Sequence, residues 1–137
     1  GIANCVLAHE IHSQLFTSER FRVLELAGAR PQRLLWASTG VKNPDYADTM
    51  YVTGLVAPNT VNTMPEPTME AFADHGEVTG QITSEHYRAA DEVFDALARL
   101  GIDYADVMTV LEKQGLEKFD VSWTELQETI RTALDRS

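Results

Sequence analysis

Two short segments constrain the fold of this chain more than any other feature. Residues 33–37 (RLLWA) form an apolar run that is too short for a helix and is bounded by turn residues. Residues 59–64 (NTVNTM) are rich in β-branched side chains and stop at Pro65. Both patterns are typical of β-strands, and the continuous apolar character of the first predicts a strand buried on both faces.

Helical patterns surround the two predicted strands. The repeating apolar positions and the capping residues predict helices over residues 1–15, 18–27, 47–55, 66–75, 84–100, 103–114 and 122–134. Ser18, Ser84, Asp103 and Ser122 are the expected N-caps, and Gly28, Gly76, Gly101 and Gly115 the expected stops. The alternation of helix and strand indicates parallel βαβ units, so we expect an α/β fold with a helix-rich tail.

A parallel sheet of only two strands has open hydrogen-bonding edges and is marginally stable alone. We therefore expect the missing strands to lie upstream of this chain. The first residues, GIANCVLAHEIHSQL, lack an N-cap, so the chain is expected to begin inside a helix. A helix-dominated domain with a small two-stranded sheet is the alternative.

Charge and cysteine content exclude several classes of function. The net charge of −10 disfavours general binding to nucleic acid or an anionic membrane. Cys5 is the only cysteine, and no apolar stretch approaches the roughly 20 residues that span a bilayer. We expect a soluble protein in a reducing compartment, with the cytoplasm as the default.

Charge is distributed unevenly along the chain. Residues 20–42 contain five basic residues and one acidic residue, whereas residues 43–137 contain six basic and 18 acidic residues. A local site for one small anion is compatible with this distribution.

Polar residues follow both predicted strands where the strands end. Ser38, Thr39, Lys42 and Asn43 follow the first, and Asn62 and Thr63 end the second. Carboxyl ends of parallel strands meet at one edge, and the loops there often bind phosphate through hydroxyls, backbone N–H groups and a basic side chain. The spacing is not that of a P-loop, and alone it also fits a solvated loop.

Several longer strings resemble the end of transaldolase, particularly its longer bacterial branch. They are WASTGVKNPDYADTMYV, then TVNTMP, then a helix of pattern M-x-x-F-A-x-H-G, with GARPQR before them and LGIDYADV and KFDVSW after them. The resemblance implies the C-terminal part of a single (β/α)₈ TIM-barrel domain. Residues 1–82 would then form the last βα units, and residues 83–137 the C-terminal helices.

The resemblance also implies an activity. Transaldolases of the pentose phosphate pathway move a dihydroxyacetone unit between sugar phosphates through a lysine Schiff base, without a metal or organic cofactor. That lysine belongs to an earlier strand, so no catalytic residue is assigned to this chain, and we expect it to be inactive alone. Its expected partners are sugar phosphates and the missing N-terminal part of the barrel.

The resemblance implies that the phosphate of the substrate binds at Ser38, Thr39, Lys42 and Asn43, and that Asn62 and Thr63 line the pocket. In the other transaldolase branch the loop resembles A-S-F-R-N, so Ser38 matches its serine, and Lys42 with Asn43 matches its Arg-Asn after a two-residue insertion. Lys42 is not expected to be the Schiff-base nucleophile, because such a lysine needs burial to lose its proton, whereas a Gly-containing loop is exposed.

Two other functions are compatible with parts of the sequence. Four C-terminal helices and an acidic surface would suit a non-catalytic helical interaction domain. His9 and His12 would suit a zinc hydrolase, but H-E-x-H lacks the i, i+4 spacing that puts two imidazoles on one helix face.

Three remaining residues are interpreted as structural. Arg33, roughly 15 Å along the strand from Ser38, is expected to serve solubility or a salt bridge. His75 suits a helix C-terminus. Trp123 is expected to anchor the last helix.

Overall fold

The computed structural model of the chain describes residues 1–135. Its elements in chain order are α1 (Ile2–Thr17), α2 (Glu19–Leu26), β1 (Leu34–Ala37), α3 (Met50–Thr53), β2 (Thr60–Thr63), α4 (Glu66–His75), α5 (Ser84–Arg99) and α6 (Tyr104–Leu134). Contacts within the chain divide it into two units, Gly1–Val93 and Phe94–Ser137. Along the described part of the chain, no helix is long and apolar enough to cross a bilayer.

The two strands form a parallel pair in the first unit. Leu34 lies opposite Thr60, and the register continues to Ala37 opposite Thr63. The predicted strands are confirmed to within one residue at each end, and so is their parallel direction. Ser38 and Thr63 therefore lie together at the carboxyl ends of the two strands, here called the carboxyl edge.

Trp36 is the centre of the core of this unit. Its side chain is buried among Val6, Leu55, Ile82 and Ala90. The indole Nε1 donates a hydrogen bond to the Leu55 carbonyl at 3.1 Å, which satisfies the polar end of the ring. One face of β1 is thus fixed against α1, α5 and the segment that leads into β2.

The opposite face of β1 is open. Successive side chains of a strand point to opposite faces, and Leu35, next to Trp36, is 52% exposed. The prediction of a strand buried on both faces is therefore wrong for the described chain, because helices cover only the Trp36 face. The short helix α2 likewise leaves Val23, Leu24 and Leu26 exposed.

The helix ends follow local chemistry in most places. Ser18 accepts a hydrogen bond from the Phe21 N–H at 3.2 Å, and Asp103 accepts one from the Ala105 N–H at 2.8 Å, as predicted for N-caps. Ser84, also predicted to be a cap, is instead the first residue of α5. The cap interaction lies one residue earlier, where the His86 ring accepts from the Thr83 N–H at 3.1 Å.

Helix α3 is shorter than the predicted helix over residues 47–55. The residues before it form turns: the Asn43 side chain accepts from the Asp45 N–H at 3.0 Å, and the Asn43 carbonyl accepts from the Tyr46 N–H at 3.2 Å. Side-chain bonds of this kind compete with helical hydrogen bonding. Residues 38–49 therefore form one long connection between β1 and α3.

Helix α6 is one continuous helix of 31 residues, where two helices were predicted. Gly115 does not end it, because a glycine inside a helix costs only about 1 kcal/mol and good helix formers flank it. Ser122 does not start a new helix, and the Thr124 hydroxyl donates to the Asp120 carbonyl four residues earlier. Trp123 is 60% exposed, so its predicted anchoring role is also wrong.

The buried position of Trp36 leads to a stability prediction. Trp36→Phe removes the donor to the Leu55 carbonyl and leaves a small void, so we expect the free energy of unfolding to fall by about 1–3 kcal/mol. Urea unfolding followed by circular dichroism measures the change. Trp123→Phe is the matched control and should change stability by less than about 0.5 kcal/mol. Equal losses in the two variants would contradict the proposed core.

Candidate functional site

The carboxyl edge of the strand pair brings together residues from three segments. The register places Ala37 opposite Thr63, so the residues that follow β1 lie beside the last residues of β2. Thr39 is 3% exposed there, and its hydroxyl donates to the Asn62 side-chain oxygen at 2.7 Å. The Asn62 amide donates in turn to the Tyr51 carbonyl at 3.4 Å.

These hydrogen bonds define what Thr39, Asn62 and Thr63 do in the described chain. The Thr39 hydroxyl also lies 3.4 Å from the Thr63 carbonyl, and the Thr63 hydroxyl lies at the same distance from the Trp36 carbonyl. All three polar side chains tie the start of the connection to β2. They fix the geometry of the edge.

Ser38, directly after β1, has an unusual backbone conformation. Its φ is +57°, in the left-handed region, and its side chain is exposed. This conformation costs an L-residue about 1–2 kcal/mol. Strain of this kind persists where the surrounding structure enforces it, and it is concentrated at functional sites.

Lys42 and Asn43 are exposed in the middle of the connection. No hydrogen bond or ion pair joins the Lys42 ammonium group to any residue among 1–135. The Asn43 side chain and carbonyl organise the turn that follows it. The edge thus presents a free positive charge a few residues from an exposed hydroxyl.

The far end of the same connection is linked to α4. His75, the last residue of α4, lies with Nε2 2.9 Å from Asp48 Oδ1 and with Nδ1 3.1 Å from Asp74 Oδ2. The hydrogen bond to Asp48, followed by that to Asp74, raises the pKa of His75, and the same His75 contact lowers the pKa of Asp48. The predicted position of His75 at a helix C-terminus is confirmed.

A cavity of about 440 Å³ lies at the opposite, amino end of the strands. Its lining includes Arg33, which precedes β1, Asn59, which precedes β2, and His9 and His12 of α1. Arg33 lies at this end, as predicted, and forms no ion pair within the described chain. The cavity does not reach the polar carboxyl edge.

His9 and His12 each have a protein partner. His9 Nδ1 shares a hydrogen bond with the Tyr87 hydroxyl at 2.9 Å, and His12 Nε2 donates to the Gln32 carbonyl. Burial lowers the pKa of His9, and the neighbouring His12 adds to this effect. Among residues 1–135, no group of three or more His, Cys, Asp or Glu side chains is placed to hold a metal ion.

The carboxyl edge has the composition of an anion site on an α/β protein. A hydroxyl, glycine backbone and an unpaired ammonium group follow one parallel strand beside the end of another. Groups of these kinds bind phosphate after the last strands of many α/β barrels.

Comparison with known proteins identifies the family. Residues 1–130 match the family described as transaldolase/fructose-6-phosphate aldolase, and the chain belongs to this family. It is 56% identical over 135 residues to transaldolases of Mycolicibacterium smegmatis and Renibacterium salmoninarum, and 52% identical over 137 residues to that of Saccharopolyspora erythraea. These matches cover 98–100% of the chain but only 36–37% of each relative, and correspond to the C-terminal portion.

Sequence reasoning missed the Asp48–His75 link and the Tyr51 carbonyl that accepts from Asn62. Asp48 and His75 are 27 residues apart, and neither lies in a local motif that would pair them. The acceptor in the second contact is the main-chain carbonyl of Tyr51, so the identity of residue 51 does not reveal it in the sequence. Only the fold reveals both.

The strained backbone at Ser38 generates a prediction. Ser38→Gly should raise the free energy of unfolding by about 0.5–1 kcal/mol, because glycine adopts positive φ without the Cβ penalty. Asn59→Gly is the matched control: Asn59 has the same φ of +57°, but asparagine tolerates this region and the gain should be smaller. Urea unfolding measures both changes. Destabilisation by Ser38→Gly would contradict the strain at this position.

Proposed function

We propose that this chain forms the C-terminal part of a transaldolase that transfers a dihydroxyacetone unit between sugar phosphates through a lysine Schiff base. Family membership and relatives named transaldolase support the proposal. The chain spans about a third of the length of those relatives, so the Schiff-base lysine is assigned to the remainder of the barrel. Imine chemistry of this kind requires no metal or organic cofactor.

The open surfaces of the first unit support a place in a larger barrel. Parallel strands normally have both faces covered, yet Leu35 is half exposed and β1 and β2 each have an unpaired edge among the described residues. In a closed (β/α)₈ barrel neighbouring strands pair with both edges, and side chains fill the interior. On this proposal residues 1–82 are the last βα units and residues 83–137 the C-terminal helices.

The carboxyl edge is proposed to bind the phosphate of the substrate. Lys42 supplies positive charge and Ser38 a hydroxyl donor, while Thr39, Asn43, Asn62 and Thr63 shape the pocket. The observation that carries this assignment is the exposed Lys42 ammonium group, without a described partner, four residues after the strained Ser38 in the connection that follows β1, where α/β barrels bind phosphate. Such a site would operate in the cytoplasm, where sugar phosphates are metabolised.

A chimera tests the proposal directly. The matching part of the Mycolicibacterium smegmatis transaldolase is replaced by this chain, and transfer between sugar phosphates is measured. Lys42→Ala should raise KM for the sugar phosphate by about 10–100-fold, the loss expected for one hydrogen bond to a charged group. Trapping of the Schiff base with borohydride should persist. Lys113→Ala, an exposed lysine of α6, is the matched control and should leave KM unchanged.

Three outcomes would contradict the proposal at different levels. An unchanged KM in the Lys42→Ala chimera would refute the role of Lys42. A folded chimera that neither transfers nor traps would refute the assigned activity. Transfer by the 137-residue chain alone would refute the expectation that its catalytic lysine lies elsewhere.

A second candidate is a non-catalytic helical interaction domain. It is favoured by one observation: α6 exposes a row of large apolar side chains at helical spacing, namely Leu116, Phe119, Trp123, Leu126 and Ile130. This function would be favoured if the chain were monomeric, unfolded cooperatively and kept the same melting temperature when sugar phosphates are added. A shift in melting temperature with sugar phosphate would favour the first.

A further inference from the structure

Residues 38–49, here called the phosphate loop, run along α4. Near the start of the loop, a Cβ added at Gly40 would lie 3.1 Å from Pro65 Cγ and 3.5 Å from Thr68 Oγ1, so the loop backbone packs on the first turn of α4. Near its end, Asp48 meets His75, the last residue of α4. Lys42 and Asn43 lie between these two contacts.

The start of the phosphate loop is fixed by buried groups. Thr39 and Thr68 are 3% and 7% exposed, and the Thr39 hydroxyl is bonded to Asn62. At the far end Thr49, the residue before α3, is 7% exposed, but the side chains of Asp48 and His75 are themselves exposed. Among the described residues, the Asp48–His75 contact is the only side-chain hydrogen bond or ion pair that joins α4 to the far end of the loop.

The two contacts of His75 require a protonated ring. Each ring nitrogen faces a carboxylate oxygen, of Asp48 on the loop and of Asp74 on α4 itself. An ionised carboxylate only accepts hydrogen bonds, and a neutral imidazole carries only one N–H. Both contacts are satisfied at once only by the imidazolium form.

We propose that His75 is a positioning residue for phosphate binding, which acts by holding Asp48 and thereby keeping the loop that carries Lys42 and Asn43 along α4. This inference rests on the proposed function, since it assigns the loop to the phosphate of a sugar phosphate. His75 itself does not touch the substrate. It links the affinity of the phosphate site to the protonation of a side chain at the other end of α4.

The pH range follows from the two pKa shifts. The pKa of His75 is raised above its ordinary value of 6.5, so its contribution is complete below pH 6.5 and is lost as the pH rises through the raised value. The pKa of Asp48 is lowered below 3.8, so its contribution is complete above pH 3.8 and is lost as the pH falls through the lowered value. Positioning is strongest between these limits.

The test uses the same chimera and the ratio of KM in each variant to KM in the parent chimera, which cancels ionisation of the substrate phosphate. At pH 6, His75→Leu, which leaves no donor for Asp48, and Asp48→Asn should each raise KM for the sugar phosphate about 3–10-fold with kcat nearly unchanged. Above the raised pKa of His75 the ring of the parent keeps one N–H for two carboxylates, so both ratios should fall toward one. Asp74→Asn, which leaves the bond to Asp48, is the matched control and should have a smaller effect.

A second measurement uses the 137-residue chain itself. Titration of the histidine rings by NMR should show that Asp48→Asn lowers the pKa of His75 and leaves unchanged that of His9, whose ring bonds to Tyr87. Amide hydrogen exchange in residues 40–48 should be faster in Asp48→Asn than in the parent chain at pH 6.

The outcomes separate this inference from the proposed function. KM ratios near one at pH 6 for both variants would overturn the inference, while a raised KM in Lys42→Ala would still support the phosphate site. Ratios that stay high at every pH, or equal losses in kcat, would also overturn it, because they indicate a structural role. If Lys42→Ala leaves KM unchanged as well, the phosphate site itself is refuted.

Discussion

The parallel register of β1 and β2 is the constraint on which the rest of the first unit depends. Trp36 holds this register from one side through its buried ring and its hydrogen bond to Leu55, and the Thr39–Asn62 hydrogen bond holds it at the carboxyl edge. Because side chains alternate along a strand, a slip of one residue would turn Trp36 toward the open face. The same slip would separate Ser38 from Thr63, so the residues of the candidate site would no longer lie together.

Local chemistry predicted much of the fold. The β-branched and apolar runs located both strands, and Ser18 and Asp103 located two helix starts, because these signals act within a few residues. Features that depend on distant groups were missed. The prediction that β1 is buried on both faces was wrong because the described chain supplies helices for only one face. Helix α3 is shorter than predicted and ends at Gly54. The prediction that Gly115 ends a helix was wrong, because one glycine costs little in a long helix.

The candidate site divides in the same way. Ser38 and Lys42 could be identified from their position after a strand, and the resemblance to transaldolase supplied their role as a prediction that still awaits a test. The left-handed backbone of Ser38 and the link from Asp48 to His75 could not be identified, since both are properties of the folded chain. The exposed face at Leu35 and the 36% coverage of the relatives support the proposal that this strand pair belongs to a larger sheet.

The central claim is that phosphate binds at the carboxyl edge of the strand pair. A crystal structure of the chimera with a bound sugar phosphate tests it most directly. We expect phosphate oxygens within hydrogen-bond distance of the Ser38 hydroxyl and the Lys42 ammonium group, with Asp48 still bonded to His75. Phosphate bound instead in the cavity beside His12 and Arg33, at the amino end of the strands, would contradict the claim.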